Sequence, residues 1–143
     1  MSASCIGDVN GDGVDDVLLG APYSRESTIK AAYVIYGRIG GSPDIYLSVF
    51  NHMLGFVIYG AVEEDALGSA GSGIGDINGD GVEDFVVSAP FAHSNRGAVY
   101  VIYGQTGYRE NLFLLRLTAS EGHVISGFSM NSQVGFAVAE VVM

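Results

Sequence analysis

The sequence predicts an all-β chain built from two copies of one unit. A nine-residue acidic segment that begins at Asp8 returns almost unchanged from Asp76, and short β-prone segments alternate with glycine-rich turns along the chain. In no window of useful length do apolar residues recur at the spacing of an amphipathic helix. A fixed long period of this kind indicates a repeat architecture, in which similar units stack on one another.

The repeat extends beyond the acidic segment. Residues 6–22 and 74–90 are identical at 11 of 17 positions, and the segment Tyr33–Gly37 returns as Tyr100–Gly104. The unit is therefore about 67 residues long. The first copy is expected to cover about residues 1–66, the second about residues 67–133, and residues 134–143 to begin a third copy.

Each copy holds four segments with the composition and spacing of β-strands. They are Ser2–Ile6, Asp16–Gly20, Ala31–Tyr36 and Phe56–Tyr59 in the first copy, and Leu67–Ile74, Asp84–Ser88, Ala98–Tyr103 and Gly122–Ser126 in the second. Val134–Val141 aligns with Leu67–Ile74 and predicts the first strand of a third unit. Since four strands in a meander form a blade of a β-propeller, we expect an incomplete propeller of two four-stranded blades plus the first strand of a third.

The acidic segment has the spacing of a loop that encircles a hard cation. Oxygen-bearing side chains occupy its positions 1, 3, 5 and 9, and glycines occupy positions 4 and 6. Calcium takes about 6–8 oxygen ligands from carboxylates, amides, backbone carbonyls and water. We therefore predict two calcium sites. The ligands are the side chains of Asp8, Asn10, Asp12 and Asp16 with the carbonyl of Val14, and the side chains of Asp76, Asn78, Asp80 and Asp84 with the carbonyl of Val82.

Other cations and loop types fit the pattern less well. Magnesium demands a tight octahedron, and neither loop has the cysteine or histidine typical of zinc sites. An EF-hand has a glutamate at position 12 between two helices, whereas position 12 here is Leu19 or Val87 in a β-prone run. An Asx-rich turn without metal is the alternative, but it leaves the fixed acids of both copies unexplained. Position 8, Asp15 or Glu83, is interpreted as a solvent-facing acid that does not ligate.

Leu67-Gly68, then Gly75–Gly81 and finally Ser88-Ala89-Pro90 form a pattern that resembles the FG-GAP repeat of integrin α-subunit propellers and their bacterial relatives. The first copy has the better ending, Gly20-Ala21-Pro22, while the second has Leu67 for the family's phenylalanine and Ser88 for its first glycine. The resemblance implies that each cation loop joins the first and second strands of a blade, on the lower face in integrins. It also implies a role in adhesion.

The amino-acid composition limits the classes of binding partner and the cellular location that we expect for this protein. The net charge of −10, with six Lys and Arg in 143 residues, argues against nucleic acid and anionic membranes as partners. The sequence contains no apolar run of about 18 residues, which is the length that would predict insertion into a membrane. Weak calcium sites of the kind found in extracellular modules are filled only where the calcium concentration is millimolar. We therefore expect the full-length protein to be extracellular or at the cell surface, with a targeting segment outside this sequence. The single cysteine, Cys5, is predicted to be a buried thiol in the innermost strand.

No constellation of residues predicts catalysis, so we expect a protein that is not an enzyme. His52, His93 and His123 lack a serine, cysteine or acid partner at a suitable spacing and are interpreted as surface residues. The tyrosines at positions 33, 36, 100 and 103 are interpreted as mainly packing residues. Ser24–Glu26 and His93–Arg96 occupy equivalent loops and are candidates for ligand contact, since binding residues concentrate on such loops.

Three functions stay open. The favoured one is a calcium-binding, non-catalytic propeller segment of an extracellular or cell-surface protein that binds a protein or matrix ligand. A lectin-like propeller requires pockets between blades that are lined by polar groups and an aromatic residue. The third is an accessory propeller of a secreted enzyme, such as a glycosylphosphatidylinositol-type phospholipase D. Because repeat units need neighbours to bury their apolar faces, we also expect a homo-oligomer or further blades, with Val134–Val142 able to complete a partner's first blade.

Overall fold

The computed structural model describes residues 2–21, 30–61, 65–129, 132 and 134–135 and contains two β-sheets. The strands are β1 (Ser2–Gly7), β2 (Asp16–Gly20), β3 (Ala31–Ile35), β4 (Gly55–Tyr59), β5 (Gly71–Gly75), β6 (Asp84–Ala89), β7 (Ala98–Ile102), β8 (Leu112–Phe113) and β9 (Gly122–Ser126). The first sheet has the order β1-β2-β3-β4-β8, and the second has the order β5-β6-β7-β9. Apart from β8, neighbouring strands are antiparallel and consecutive, so each repeat forms one four-stranded meander. The predicted all-β fold class, an incomplete propeller of two blades, is confirmed.

Helical structure is minor in the described part of the chain. It consists of one turn at Ala92–Asn95 and two 3-10 turns, at Leu47–Val49 and Leu114–Arg116. The turn at Ala92–Asn95 is irregular, because His93 and Ser94 have φ values of 53° and 59°. Among the described residues, no helix has the length and apolar character needed to cross a membrane.

The first strand of the second blade is shorter than predicted. It begins at Gly71, whereas residues 67–70 form a turn. Ala66 and Gly68 have φ values of 57° and 87°, which are incompatible with an extended strand. Backbone bonds fix this turn against β6: the Gly68 N–H donates to the Ser88 carbonyl at 2.8 Å, and the Ser88 N–H donates to the Ala70 carbonyl at 2.9 Å.

Two predictions fall largely outside the described residues. Of the predicted third-unit strand, the structure describes Val134, which forms a parallel bridge with Gly97, and Gly135. The candidate loop Ser24–Glu26 is not described.

β8 was not predicted. It lies in the long connection between β7 and β9 and pairs in parallel with β4, with Leu112 opposite Ile58 and Phe113 opposite Tyr59. The rings of Phe113 and Tyr59 stack with their centroids 5.0 Å apart. A two-residue strand is too short to show an alternating pattern, so periodicity carries no signal for it. Through β8, the second repeat covers the outer edge of the first blade.

The two blades pack face to face through one apolar core. Fully or nearly fully buried side chains from both blades form it, among them Ile6, Leu18, Val34, Phe56, Ile58, Leu67, Phe85, Val87, Tyr100 and Ile102. Phe56 of the first blade meets Phe85 of the second with 6.4 Å between ring centroids. Tyr36 and Tyr100 are also buried, in agreement with their interpretation as packing residues. Burying a side chain of the size of Phe56 contributes about 1.5–3 kcal/mol.

Cys5 is exposed, so the prediction of a buried thiol is wrong. Successive side chains of a strand point to opposite faces. In β1, Ile6 is fully buried in the core between the blades, and Cys5 therefore lies on the other face. Its Sγ atom is 4.0 Å from a carboxylate oxygen of Asp15.

Candidate metal site

Both acidic segments connect the first and second strands of a blade. The first loop, Asp8–Asp16, runs from β1 into β2, and the second loop, Asp76–Asp84, runs from β5 into β6. Each strand enters its loop through a bulge at a glycine in the left-handed region, with φ of 78° at Gly7 and 74° at Gly75. Glycine adopts this conformation without a Cβ clash. The placement agrees with what the FG-GAP resemblance implies.

The first aspartate organises each loop by accepting backbone N–H groups from the fifth and sixth positions. The donors to Asp8 are Asp12 at 3.1 Å and Gly13 at 2.8 Å, and the donors to Asp76 are Asp80 at 3.1 Å and Gly81 at 2.8 Å. The fifth-position aspartate then accepts the N–H of the seventh residue, at 2.9 Å in both loops. The bond from Gly81 is also the largest cause that lowers the pKa of Asp76. The matching distances indicate that the nine residues specify the loop conformation locally.

The ninth-position aspartates, Asp16 and Asp84, are fully buried. Each accepts the N–H of the second loop residue with one oxygen, and the N–H of the glycine beyond the third strand with the other. The donors are Val9 at 2.9 Å and Gly37 at 2.8 Å for Asp16, and Ile77 at 2.8 Å and Gly104 at 2.8 Å for Asp84. These carboxylates therefore tie each loop to the rest of its own blade.

Burial makes the negative charge of Asp16 costly. The pKa of Asp16 is raised to about 6, chiefly by desolvation, and the N–H groups of Gly37 and Val9 oppose this rise. The nearby carboxylates of Asp12 and Asp8 contribute a smaller part of the rise. A cation close to these groups favours the charged form of each. The first loop thus concentrates negative charge that the described protein groups compensate only in part.

The donor set of the second loop fits a calcium ion. Side-chain oxygens of Asp76, Asp80 and Asp84 lie within 4.8 Å of one another, and they are the one such acidic group among the described residues. An ion held at about 2.3–2.6 Å from each ligand accommodates oxygens at these separations. The donors are all oxygens, the ligand type that calcium takes. The acids of the predicted site are therefore brought together, although their function as ligands stays a prediction.

The three acids of the first loop are less closely grouped, since they do not form such a cluster in the described structure. Here the side-chain amide of Asn10 donates to an oxygen of Asp12 at 3.1 Å. Asn10 is itself buried, whereas its counterpart Asn78 is exposed. The backbone carbonyls of Val14 and Val82, predicted to complete the sites, lie at equivalent positions of the two loops.

The second blade contacts the first loop, and this contact was not predicted from the sequence. The N–H groups of Gln105 and Gly107 donate to the carbonyls of Val9 and Asn10, at 3.0 and 2.9 Å. Glu83 of the second loop accepts the N–H of Asp8. Glu83 is exposed, in agreement with its interpretation as a solvent-facing acid, and its carboxylate also contacts the first loop. A contact with a backbone N–H depends on no partner side chain, so the sequence carries no signal for it.

The remaining candidates lie away from the two loops. His52, His93 and His123 are exposed, in agreement with their interpretation as surface residues. His123 lies in β9 rather than in a turn, and its Nδ1 atom is 3.0 Å from the hydroxyl of Tyr103. His93–Arg96 forms an exposed turn and stays a candidate for ligand contact.

A polar cavity of about 360 Å³ lies between the connection that precedes β4 and the one that follows β7. Its lining includes Phe50, Asn51, His52, Arg109, Glu110 and Asn111. Because the two connections belong to different repeats, the cavity combines polar groups and an aromatic ring at the boundary between the blades.

A family model for the FG-GAP repeat matches residues 2–35 and 68–102, which in each blade span the acidic loop and the first three strands. The chain is 35% identical over 104 residues to integrin alpha-5 of Xenopus laevis, which covers 70% of this chain. It is 35% identical over 109 residues to integrin alpha-3 of Mus musculus, covering 74%, and 36% identical over 104 residues to integrin alpha-PS2 of Drosophila melanogaster, covering 68%. The aligned part spans 9%, 9% and 7% of the lengths of these relatives.

Proposed function

Because the chain belongs to the FG-GAP repeat family, we propose that it is a calcium-binding, non-catalytic propeller segment of an extracellular or cell-surface protein that binds a protein or matrix ligand. One calcium ion is held by each loop. The ligands are Asp8, Asn10, Asp12, Val14 and Asp16 in the first loop, and Asp76, Asn78, Asp80, Val82 and Asp84 in the second.

The grouping of three carboxylates around the buried Asp84 carries this proposal. Like charges held this close disfavour one another's ionisation, and a divalent cation removes that conflict. The role of the ion is structural, because the ninth-position carboxylates bind both the loop and the rest of the blade. A ligand that binds only the folded state stabilises it by about 1.4 kcal/mol at ten times its dissociation constant.

Thermal unfolding with calcium and with a chelator tests this role. We expect chelation to lower the melting temperature, and expect Asp12→Ala combined with Asp80→Ala to remove the response to calcium. Asp15→Ala is the matched control, because it removes an acid from the first loop at a position that is not a predicted ligand. A melting temperature that is the same with calcium and with chelator contradicts the proposal.

Binding to a protein or matrix ligand is supported by the likeness to integrin alpha chains, to which the chain is about 35% identical. It is tested with the calcium-loaded chain and immobilised matrix proteins, using surface plasmon resonance. We expect saturable binding that is lost with chelator and in the Asp12→Ala, Asp80→Ala double variant. Binding that is absent from a broad panel of matrix proteins counts against adhesion without affecting the calcium result.

Carbohydrate binding is the second candidate, because the cavity between the blades has the lining that a lectin-like propeller requires. Asn51, Glu110 and Asn111 offer hydrogen-bonding groups beside the ring of Phe50. A glycan array separates the two candidates. Calcium-dependent binding to one class of glycan, lost in Glu110→Ala, favours the lectin-like function over protein adhesion.

A further inference from the structure

The two predicted calcium loops are in contact through a side chain that lies between two predicted ligands of the second loop. Glu83 stands between Val82 and Asp84 in the sequence. Its carboxylate accepts the N–H of Asp8, the first predicted ligand of the first loop. The approach is close, because a Cβ atom at Gly7 would clash with the Glu83 carboxylate. The position of the first ligand in one loop therefore depends on how the other loop holds Glu83.

A second connection runs through the backbone and joins the two ninth-position carboxylates. Asp84 accepts the N–H of Gly104 at 2.8 Å. The next residue, Gln105, donates its N–H to the Val9 carbonyl at 3.0 Å, and Val9 donates its own N–H to Asp16 at 2.9 Å. A Cβ atom on Gly104 would lie 3.0 Å from the Val9 carbonyl oxygen and would overlap a backbone carbonyl of the second loop. The chain thus needs a glycine at the point where the two loops are linked.

Two physical effects act between the loops, and they have opposite signs. One bound cation repels another, so electrostatics alone predicts that an ion in one loop weakens binding in the other. This repulsion is reduced where solvent reaches the charges, because salt screens them over about 8 Å at physiological ionic strength. The hydrogen bonds shared by the loops favour the ordered form of both at once. The sign of the coupling therefore shows which effect is larger.

We propose, on the basis of the calcium function proposed above, that the two loops bind calcium with positive cooperativity and that Glu83 is the positioning residue that couples them. An ion in the second loop holds the ligands on either side of Glu83, and so holds its carboxylate at the Asp8 N–H. The first ion to bind orders the shared contacts, and the second ion then binds a loop that is already ordered. Each ion raises the affinity for the other by the same factor, because coupling between binding sites is reciprocal.

Isothermal titration calorimetry of three chains measures the coupling. Asp80→Ala gives the association constant of the first loop while the second loop is empty, and Asp12→Ala gives that of the second loop while the first is empty. Without coupling, the overall association constant of the unaltered chain for two ions equals the product of these two constants. We expect the overall constant to exceed the product by about tenfold, which is within the range usual for coupled sites.

Substitutions of the eighth-position acids then test the role of Glu83. Glu83→Ala, made in all three chains, is expected to remove most of the excess, whereas Glu83→Gln keeps an acceptor oxygen and is expected to retain it. Asp15→Ala is the matched control. It removes the equivalent acid of the first loop, whose carboxylate lies near Cys5 of its own blade, and is expected to leave the excess unchanged.

Amide hydrogen exchange, followed by NMR, gives a readout that does not depend on the affinity of the first loop. In Asp12→Ala, calcium that fills the second loop alone is expected to slow exchange of the Asp8 amide hydrogen, and adding Glu83→Ala is expected to abolish this slowing. An overall constant equal to or below the product of the single-site constants overturns the cooperativity and leaves the calcium function intact. An excess that persists in Glu83→Ala overturns the role of Glu83. A chain that binds no calcium overturns both proposals.

Discussion

The two acidic loops have nearly the same sequence and share the hydrogen bonds from the N–H groups of their fifth, sixth and seventh residues, but they differ in what surrounds them. The first loop is contacted by the second blade, which bonds to the carbonyls of Val9 and Asn10 and places Glu83 at the N–H of Asp8. In the second loop Asp76 and Asn78 are exposed. The difference teaches that local sequence sets the shape of a loop, whereas the neighbouring blade sets its burial.

The largest expected effect comes from the ninth-position aspartates. Asp16→Ala and Asp84→Ala each leave two backbone N–H groups without their carboxylate partner, and an unsatisfied buried group costs about 1–3 kcal/mol. We expect each change to lower the free energy of unfolding by about 2–5 kcal/mol in urea denaturation. Since these bonds are local to each blade, the two losses should be similar. A much smaller loss for Asp16→Ala than for Asp84→Ala would show that the neighbouring blade, rather than the aspartate, holds the first loop.

The pH dependence of the metal-free protein gives the next effect. The pKa of Asp16 is raised to about 6 in the folded state, above its ordinary value of 3.8. The folded state therefore binds this proton more tightly than the unfolded state, and stability falls as the pH rises from about 4 to beyond 6. We expect Asp16→Asn to flatten this part of the profile in chelator, measured by urea denaturation. An unchanged slope in that variant would assign the pH dependence to other groups.

The smallest expected effect is the difference in stability between variants of Glu83 and Asp15, the eighth-position acids of the two loops. Glu83→Ala removes the contact with the Asp8 N–H and is expected to cost at most about 1 kcal/mol. Asp15→Ala, the same change at the equivalent position of the first loop, is expected to leave stability unchanged within about 0.5 kcal/mol. The two are compared by urea denaturation at one calcium concentration. Equal effects would mean that the contact between the loops contributes nothing to the packing of the blades.

The repeat and the strand order could be predicted from the sequence because both depend on local patterns. The bounds of β2 and β9 agree with the structure for this reason. The features that were missed depend on neighbours: Cys5 is exposed because of the face of β1 it occupies, and β8 forms because β4 offers an edge. The start of β5 was predicted too early, because apolar Leu67 is buried in a turn rather than in a strand.

Isothermal titration calorimetry with calcium tests the central claim most directly. The metal-free chain is expected to bind two calcium ions, and Asp80→Ala and Asp12→Ala are each expected to bind one. The Asp15→Ala control is expected to keep both sites. Heat signals that show no calcium binding by the unaltered chain, or two sites that persist in Asp80→Ala, would contradict the assignment of one ion to each loop.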